Sequence, residues 1–545
     1  MGDVVVETLS GPVRGSASGS VACFLGVPYA SPPSGRRRFA RAEPHPGWRE
    51  PLDCVAFSPI CPQPPPSPAG SLPGDPTETS EDCLALNIWA PSSPERHGPG
   101  RPVMVFVHGG GFAGGSGAVG LYRGEQLARR GVVLVTFNYR LGALGWLAHP
   151  GLADEEGACA NWGLSDQVAA LAWVRDNIAA FGGDPGNVTV FGESAGAMSV
   201  AALLATDAAR PTIRRAILQS GAAAAAGLDA AAGLAEALAG ELGLSSISAG
   251  ALRSVPAERI LDAQRAVVGD YEGIGLPFQP VVDGAMLKRH PAVEIAAGCA
   301  AGVDVLVGTN RDEWAFFTFT TAASKAIDEA RLGRLVGRHV AFAGLEDLVS
   351  TEELIEVVKR ARRRRGESLG PADLYTAIAT DWAFRLPSLR LAEGHGTAHG
   401  RSFSYLFDWE APFGGGALGS CHALELPFVF GTVKNPIVAA FAGGGPGAEQ
   451  LSDRMQAAWV AFAASGDPSC EEVGEWPVYE PSRRATMRLG PVVEVVHAPR
   501  EEERAWLDRA LGPYGQAETL TLQQGGGVRA SRAEGTGTGT CGTGT

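Results

Sequence analysis

The sequence predicts an α/β protein with a mostly parallel central sheet, helices on both faces and long helical excursions. Three observations carry that reading. Apolar runs of strand length alternate with helical segments, the pattern of strands joined by crossover helices. Two of those runs lead straight into glycine-rich turns, His108-Gly109-Gly110-Gly111-Phe112 and Gly192-Glu193-Ser194-Ala195-Gly196. A hydrophobic content of 45% is ample for one large core.

Taken in order, the first hundred residues are rich in turns, with Pro32-Pro33, Pro64-Pro65-Pro66 and Pro91. Residues 101–107 are a continuous apolar strand, and residues 131–137 are a second. Residues 166–180 have helical periodicity. Asn187-Val188-Thr189-Val190-Phe191 reads as a buried strand, and residues 195–204 as the helix after it. Ala216-Ile217-Leu218 and Val303-Asp304-Val305-Leu306-Val307 are further strands. Residues 321–397 look helical and charged. There Ser350-Thr351-Glu352-Glu353 opens a helix with a capping box, and residues 359–365 close it with positive charge. In an acidic protein that basic run reads as a solvated helix end rather than a nucleic-acid patch. Ser402-Phe403-Ser404-Tyr405-Leu406-Phe407 is a late strand.

The length of 545 residues suggests three or four domains. The pattern nevertheless runs without a linker from about residue 5 to about residue 490. The division is therefore one domain over 1–513 and a Gln/Gly/Thr-rich tail over 514–545, which cannot build a core and is expected to be disordered. The net charge of −14 disfavours nucleic acid or an anionic membrane as partner. No apolar run approaches the ~18 residues of a membrane span. Met1-Gly2-Asp3-Val4-Val5-Val6-Glu7 lacks the basic and apolar regions of a signal peptide, so a cytoplasmic location is expected. Nine cysteines leave at least one unpaired. Cys61 and Cys83 bracket a Pro/Ser/Gly-rich loop and are the candidate disulfide; closing that loop would contribute ~3 kcal/mol in the loop-entropy model. Two reduced thiols are the equal alternative in a reducing compartment.

The two glycine turns carry the chemistry. A serine on a sharp strand-to-helix turn is lifted out of the sheet with its hydroxyl exposed. Read alone, G-x-S-x-G is weak, since roughly one random match is expected in every two chains of this glycine and serine content. Its strand–turn–helix setting strengthens it, and the upstream motif strengthens it further. Three consecutive glycines after a strand offer backbone N–H groups with no side chain in the way, as the oxyanion of an acyl-transfer intermediate requires. The N–H of Ala195, following the serine, would complete the set.

A serine nucleophile needs a base and an orienting acid, expected later in the chain in the order Ser, Asp/Glu, His. Of His339, His395, His399, His422 and His497, His422 is best placed, across a glycine loop from the strand 402–407. His339 lies in a helical stretch, and His395 and His399 read as part of a Gly-rich turn. For the acid, Asp312 and Glu313 both follow the strand ending at Val307, and the residues alone do not choose between them.

These motifs resemble the type-B carboxylesterases, a family that includes the cholinesterases and bacterial para-nitrobenzyl esterases. The resemblance covers nearly the whole chain. It runs through Phe24-Leu25-Gly26-Val27-Pro28-Tyr29-Ala30, Ser80-Glu81-Asp82-Cys83-Leu84, both glycine turns, Asn138-Tyr139-Arg140 and Phe181-Gly182-Gly183-Asp184-Pro185. It continues through Ala216-Ile217-Leu218-Gln219-Ser220-Gly221, Arg311-Asp312-Glu313 and His422-Ala423-Leu424-Glu425-Leu426-Pro427-Phe428. The resemblance implies the α/β-hydrolase fold, with Ser194 as nucleophile, Glu313 as acid and His422 as base. It implies Gly110, Gly111 and Ala195 as oxyanion donors, Ser220 as a support for the acid and Glu193 as a carboxylate lining the site. Arg38 with Glu81, and Arg140 with Asp166, resemble structural ion pairs. Two departures stand out. Residues 61–83 contain no tryptophan, where cholinesterases hold a quaternary ammonium, and Trp314 stands where the family usually has glycine.

The implied activity is hydrolysis of uncharged carboxylic esters through an acyl-enzyme, with a small-molecule ester as partner and no metal or cofactor. The alternatives are a catalytically silent binding protein of the same fold, and a carbamate, amide or lactone hydrolase using the same triad. The absent signal peptide and the unbranched cysteine pattern point to a bacterial intracellular member.

Overall fold

A computed structural model describes residues 2–65, 75–92, 100–269, 275–320 and 327–511. The tail from 514 onward lies outside the described residues, as does the middle of the Cys61–Cys83 loop.

Among the described residues fifteen strands form: β1 Gly2–Thr8, β2 Gly11–Ser18, β3 Val21–Pro28, β4 Leu52–Asp53, β5 Ala85–Pro91, β6 Arg101–Val107, β7 Val133–Phe137, β8 Gly183–Glu193, β9 Arg215–Gln219, β10 Ala226–Gly227, β11 Val281–Val282, β12 Asp304–Asn310, β13 Ser402–Phe407, β14 Ala485–Leu489 and β15 Val493–His497. All but β10 and β11 belong to one sheet, ordered β1-β2-β3-β5-β7-β6-β8-β9-β12-β13-β14-β15 with β4 beside β2. The seven strands from β7 to β14 run parallel. The edges are antiparallel, formed by β1, β2, β3 and β5 at one end and by β15 at the other. The sequence reading took the first hundred residues as turn-rich and did not identify the antiparallel edge that they supply.

Each central strand is apolar on both faces, because both are covered. In β6, Val103, Val105 and Val107 enter the core beneath the helices Trp162–Asn177 and Ala195–Ala205. The intervening Met104 and Phe106 enter a second core with Trp459 and Phe462 of the helix Pro446–Ser465. This period of two follows from the pleat. The helical excursion builds a third cluster around Leu332, Val336, Leu354, Val358, Leu374 and Trp382. Its helix Thr351–Arg365 starts as the capping box requires, with Ser350 Oγ accepting from the Glu353 N–H at 3.2 Å. The arginines that end it are not simply solvated. Arg364 and Arg365 pair with Glu502 and Glu503 of the helix Glu501–Leu511.

The chain order creates the site. From β6 the chain moves outward to β7, then returns across β6 to β8, so the loops leaving the C-terminal ends of β6 and β8 lie side by side. Open parallel sheets place ligands at such a reversal.

The Arg140–Asp166 pair fixes the loop after β7. Asp166 is fully buried and Arg140 is 3% exposed. The guanidinium donates to both carboxylate oxygens at 2.7 and 2.8 Å, and Asp166 Oδ2 also accepts the Arg140 N–H at 2.9 Å. Asp166→Asn strands the buried guanidinium and is expected to lower stability by ~3–5 kcal/mol. Asp53→Asn breaks the exposed pair with Arg14 and should cost under about 1 kcal/mol. Urea unfolding of the two variants checks this; equal losses would contradict it.

Candidate active site

Ser194 stands between β8 and the helix Ala195–Ala205 with φ 57° and ψ −125°, a strained combination for a residue with a side chain. Its surroundings enforce it. A Cβ on Gly196 would collide with the Val107 carbonyl, and one on Gly221 with the carbonyl of Ser194 itself. The Ser194 N–H is held by the Gln219 carbonyl at 2.9 Å, pinning the turn to β9.

The loop after β6 passes directly over this turn. A Cβ on Gly109 would lie 3.1 Å from the Cβ of Ser194. Gly110 and Gly111 both have positive φ, 109° and 62°. The Gly110 carbonyl turns away to accept the N–H groups of Ala113 and Gly114. Among the described residues, no protein group accepts from the N–H of Gly110, Gly111 or Ala195. His108 beneath them is buried, stacks on Tyr139 and is pushed down to about 4 by that burial, so it is neutral.

Glu313 and His422 meet although 109 residues separate them. Oε2 of Glu313 accepts from Nδ1 of His422 at 2.7 Å, and the Glu313 side chain is fully buried. The other oxygen, Oε1, accepts the Asn310 N–H at 2.7 Å. Asp312 points elsewhere: its carboxylate meets the Arg311 guanidinium and accepts the Ser420 N–H at 3.0 Å. On the other side of the ring, His422 Nε2 lies 3.1 Å from Oε1 of the buried Glu193. No hydrogen bond links Ser194 to His422 among the described residues. Burial disfavours charge on His422, but Glu193 and Glu313 outweigh it and raise the imidazolium to about 9. Burial pushes Glu193 up to about 8, against the pull of His422.

Ser220 is fully buried with φ 49°, and its Oγ has no hydrogen-bond partner among the described residues. The contact that steadies Glu313 is the Asn310 N–H. Cys61 and Cys83 are both buried free cysteines whose Sγ atoms face each other at 2.7 Å. The remaining histidines lie elsewhere. His339 bonds the Tyr375 hydroxyl. His395 sits in the last turn of the helix Leu386–Thr397, not in a glycine turn, and contacts Ser402 Oγ and the Ala300 carbonyl. His497 ends β15 on the surface.

The sequence reading missed the aromatic walls of the site. Phe317 and Phe384 both lie against the His422 ring at 5.1 and 4.8 Å between centroids, and are parallel to each other within 7°. Phe384 belongs to a π-helical turn, Asp381–Arg385, whose extra residue no periodicity announces. Trp314 does not reach His422 by any ring contact. It packs among Phe317, His339, Tyr375 and Phe384, behind the pair. Among the described residues no group of three or more His, Cys, Asp or Glu side chains could hold a metal ion. A separate cleft of about 560 Å³, lined by Tyr29, Arg41, His45, Trp173 and Met286 among others, contains none of the site residues.

A histidine bound to a carboxylate, a strained serine and a set of unspent N–H donors is the equipment of acyl transfer. The comparisons agree. The carboxylesterase family model matches residues 2–506. The para-nitrobenzyl esterase of Bacillus subtilis is 38% identical over 516 residues, covering 93% of this chain and 99% of that protein. The acetylcholinesterase of Bungarus fasciatus is 32% identical, covering 90% of this chain and 83% of that one. A solved Geobacillus stearothermophilus carboxylesterase superposes with a TM-score of 0.80 at 36% identity, over 92% of this chain and 99% of that one. The chain therefore belongs to the carboxylesterase family and is a serine carboxylic ester hydrolase of the α/β-hydrolase fold.

Proposed function

We propose that Ser194 is the nucleophile, His422 the general base and Glu313 the acid that orients it, with the N–H groups of Gly110, Gly111 and Ala195 as the oxyanion hole. The observation that carries this reading is the 2.7 Å contact of His422 Nδ1 with Glu313, beside a serine turn facing unspent donors. His422 removes the Ser194 proton as the hydroxyl attacks the ester carbonyl. The oxyanion is held by the backbone donors, and the protonated imidazole returns its proton to the departing alcohol. Water repeats the sequence on the acyl-enzyme. Glu313 holds the ring with Nε2 toward the reaction and stabilises the imidazolium.

The substrate class follows from charge. Residues 61–83 carry no aromatic side chain, and the rings beside His422 press against the imidazole. We therefore assign uncharged small-molecule esters with short to medium acyl chains. Nucleic acid does not suit a chain of net charge −14. Among the described residues no helix is long and apolar enough to cross a membrane. A bacterial, cytoplasmic setting is the accompanying proposal. The Bacillus relative supports the first part.

A fluorophosphonate should add once, at Ser194, and the adduct should vanish in Ser194→Ala when intact mass is measured. Labelling at the buried Ser220 or Ser116 would overturn the assignment.

The pH profile tests Glu193. Its carboxylate favours the imidazolium, so the neutral amide of Glu193→Gln lets His422 lose its proton at lower pH. The acid limb of kcat/KM should move down by about one pH unit. A limb that stays in place or moves up would show that Glu193 does not act on His422.

The third test is substrate choice. Choline esters need an aromatic face worth ~2 kcal/mol to the quaternary ammonium when desolvated. kcat/KM for p-nitrophenyl butyrate should exceed that for butyrylthiocholine by at least ~30-fold. Comparable values would reveal a cation site elsewhere in the pocket.

A further inference from the structure

Asn310 is the last residue of β12, fully buried, and it touches both halves of the Glu313–His422 contact. Its backbone N–H donates to Glu313 Oε1 at 2.7 Å. Its side-chain Nδ2 donates twice, to the Cys421 carbonyl and to Glu425 Oε2, both at 2.7 Å. Cys421 immediately precedes His422 and Glu425 follows it by three residues. The segment between them turns back on itself through Ala423, at φ 63°. Both groups facing Nδ2 are acceptors, so the orientation of the amide is fixed by its partners. The other end, Oδ1, is buried with no hydrogen-bond partner among the described residues, so this side chain is held for its two donors.

Glu425 is itself anchored. Oε1 accepts from Gln219 Nε2 at 3.1 Å, and Gln219 Oε1 accepts from Trp459 Nε1 at 3.1 Å. The Asn310 clamp is therefore tied to β9 and, through Trp459, to the helix beneath the sheet.

We infer that Asn310 is a positioning residue: through one backbone and two side-chain donors it sets the distance between Glu313 and His422, with Glu425 as its second anchor. This rests on the triad reading above. No other small side chain offers two N–H donors from one nitrogen at this reach. Aspartate at 310 keeps the shape but replaces the donors with a carboxylate facing Glu425. Alanine removes the clamp and leaves the Glu313 N–H contact. Either change lets the histidine segment move relative to Glu313, and a small misplacement of a catalytic group is costly. Burial and the neighbouring Glu313 push the Glu425 carboxyl up to about 7, while the Asn310 donor opposes that rise.

The test uses the full chain and five variants. Asn310→Ala and Asn310→Asp should lower kcat by about 30-fold or more with KM within about 3-fold, as expected for an interaction that acts on the transition state. Both should shift or abolish the downfield proton resonance of His422 Nδ1–H, and Asn310→Ala should move the acid limb of kcat/KM to lower pH. Glu425→Gln keeps the shape of the segment and should give a smaller loss in the same direction, so it decides the matter if the Asn310 variants fail to fold. Asp53→Asn, in the exposed pair with Arg14 far from the site, should leave all three readouts unchanged. A folded Asn310→Ala with wild-type kcat, resonance and pH limb would overturn the inference. So would a loss of activity matched by a loss of folded protein, with the resonance intact in what remains folded. Glu313→Gln separates the two levels. If it stays active, the triad reading fails; if it is inactive while the Asn310 variants behave as wild type, only the positioning role fails.

Discussion

The backbone at Ser194 occupies φ 57° and ψ −125°, where any side chain costs free energy of order 1–3 kcal/mol. The strain persists because the neighbours leave no alternative. The serine N–H is committed to β9, its helix begins at the next residue, and Val107 of β6 presses on Gly196 from the other side. The sheet thus fixes where the hydroxyl stands before any substrate arrives. Gly109 can cross within van der Waals distance of it only because it has no side chain. That close approach lays the backbone of the glycine loop directly over the serine turn.

A second constraint is electrostatic. Glu193, Glu313 and Glu425 are all buried within reach of one imidazole. Their mutual repulsion and desolvation raise Glu193 and Glu425, and their combined field raises His422. The hydrogen bonds decide how these groups differ. Glu313 has two strong donors, Asn310 N–H and His422 Nδ1–H, whereas Oε1 of Glu193 lies near His422 Nε2 without a hydrogen bond. Separated environments of this kind give neighbouring carboxylates separate tasks.

The helical excursion completes the pocket. It hangs from the turn after β12, where the Trp314 N–H bonds Thr380 Oγ1 at 3.0 Å. It returns two phenyl rings to His422, from the helix Trp314–Thr320 and from the π-helical turn. Trp314 fills the space behind them. Its effect on the site is transmitted through Phe317 and Phe384, the rings it supports.

Much of this architecture is legible in the residues themselves. The central strands announce themselves because a strand covered on both faces must be apolar throughout. Both glycine turns are legible because a sharp turn and a close backbone approach exclude side chains wherever they occur. Local sequence could not choose between Asp312 and Glu313. They are neighbours on one turn, and only the packing of β13 and the 420–422 segment shows that Asp312 faces Arg311 while Glu313 faces His422. Sequence also concealed the antiparallel edge β1–β3, whose pairing is defined by partners rather than by a strong internal pattern. It concealed Phe384, because an extra residue in a helical turn leaves no periodic trace. The linking role of Asn310 was hidden for a deeper reason. Its acceptors lie 111 and 115 residues away, and a hydrogen-bond bridge between two loops exists only once the strands that carry them have been placed side by side.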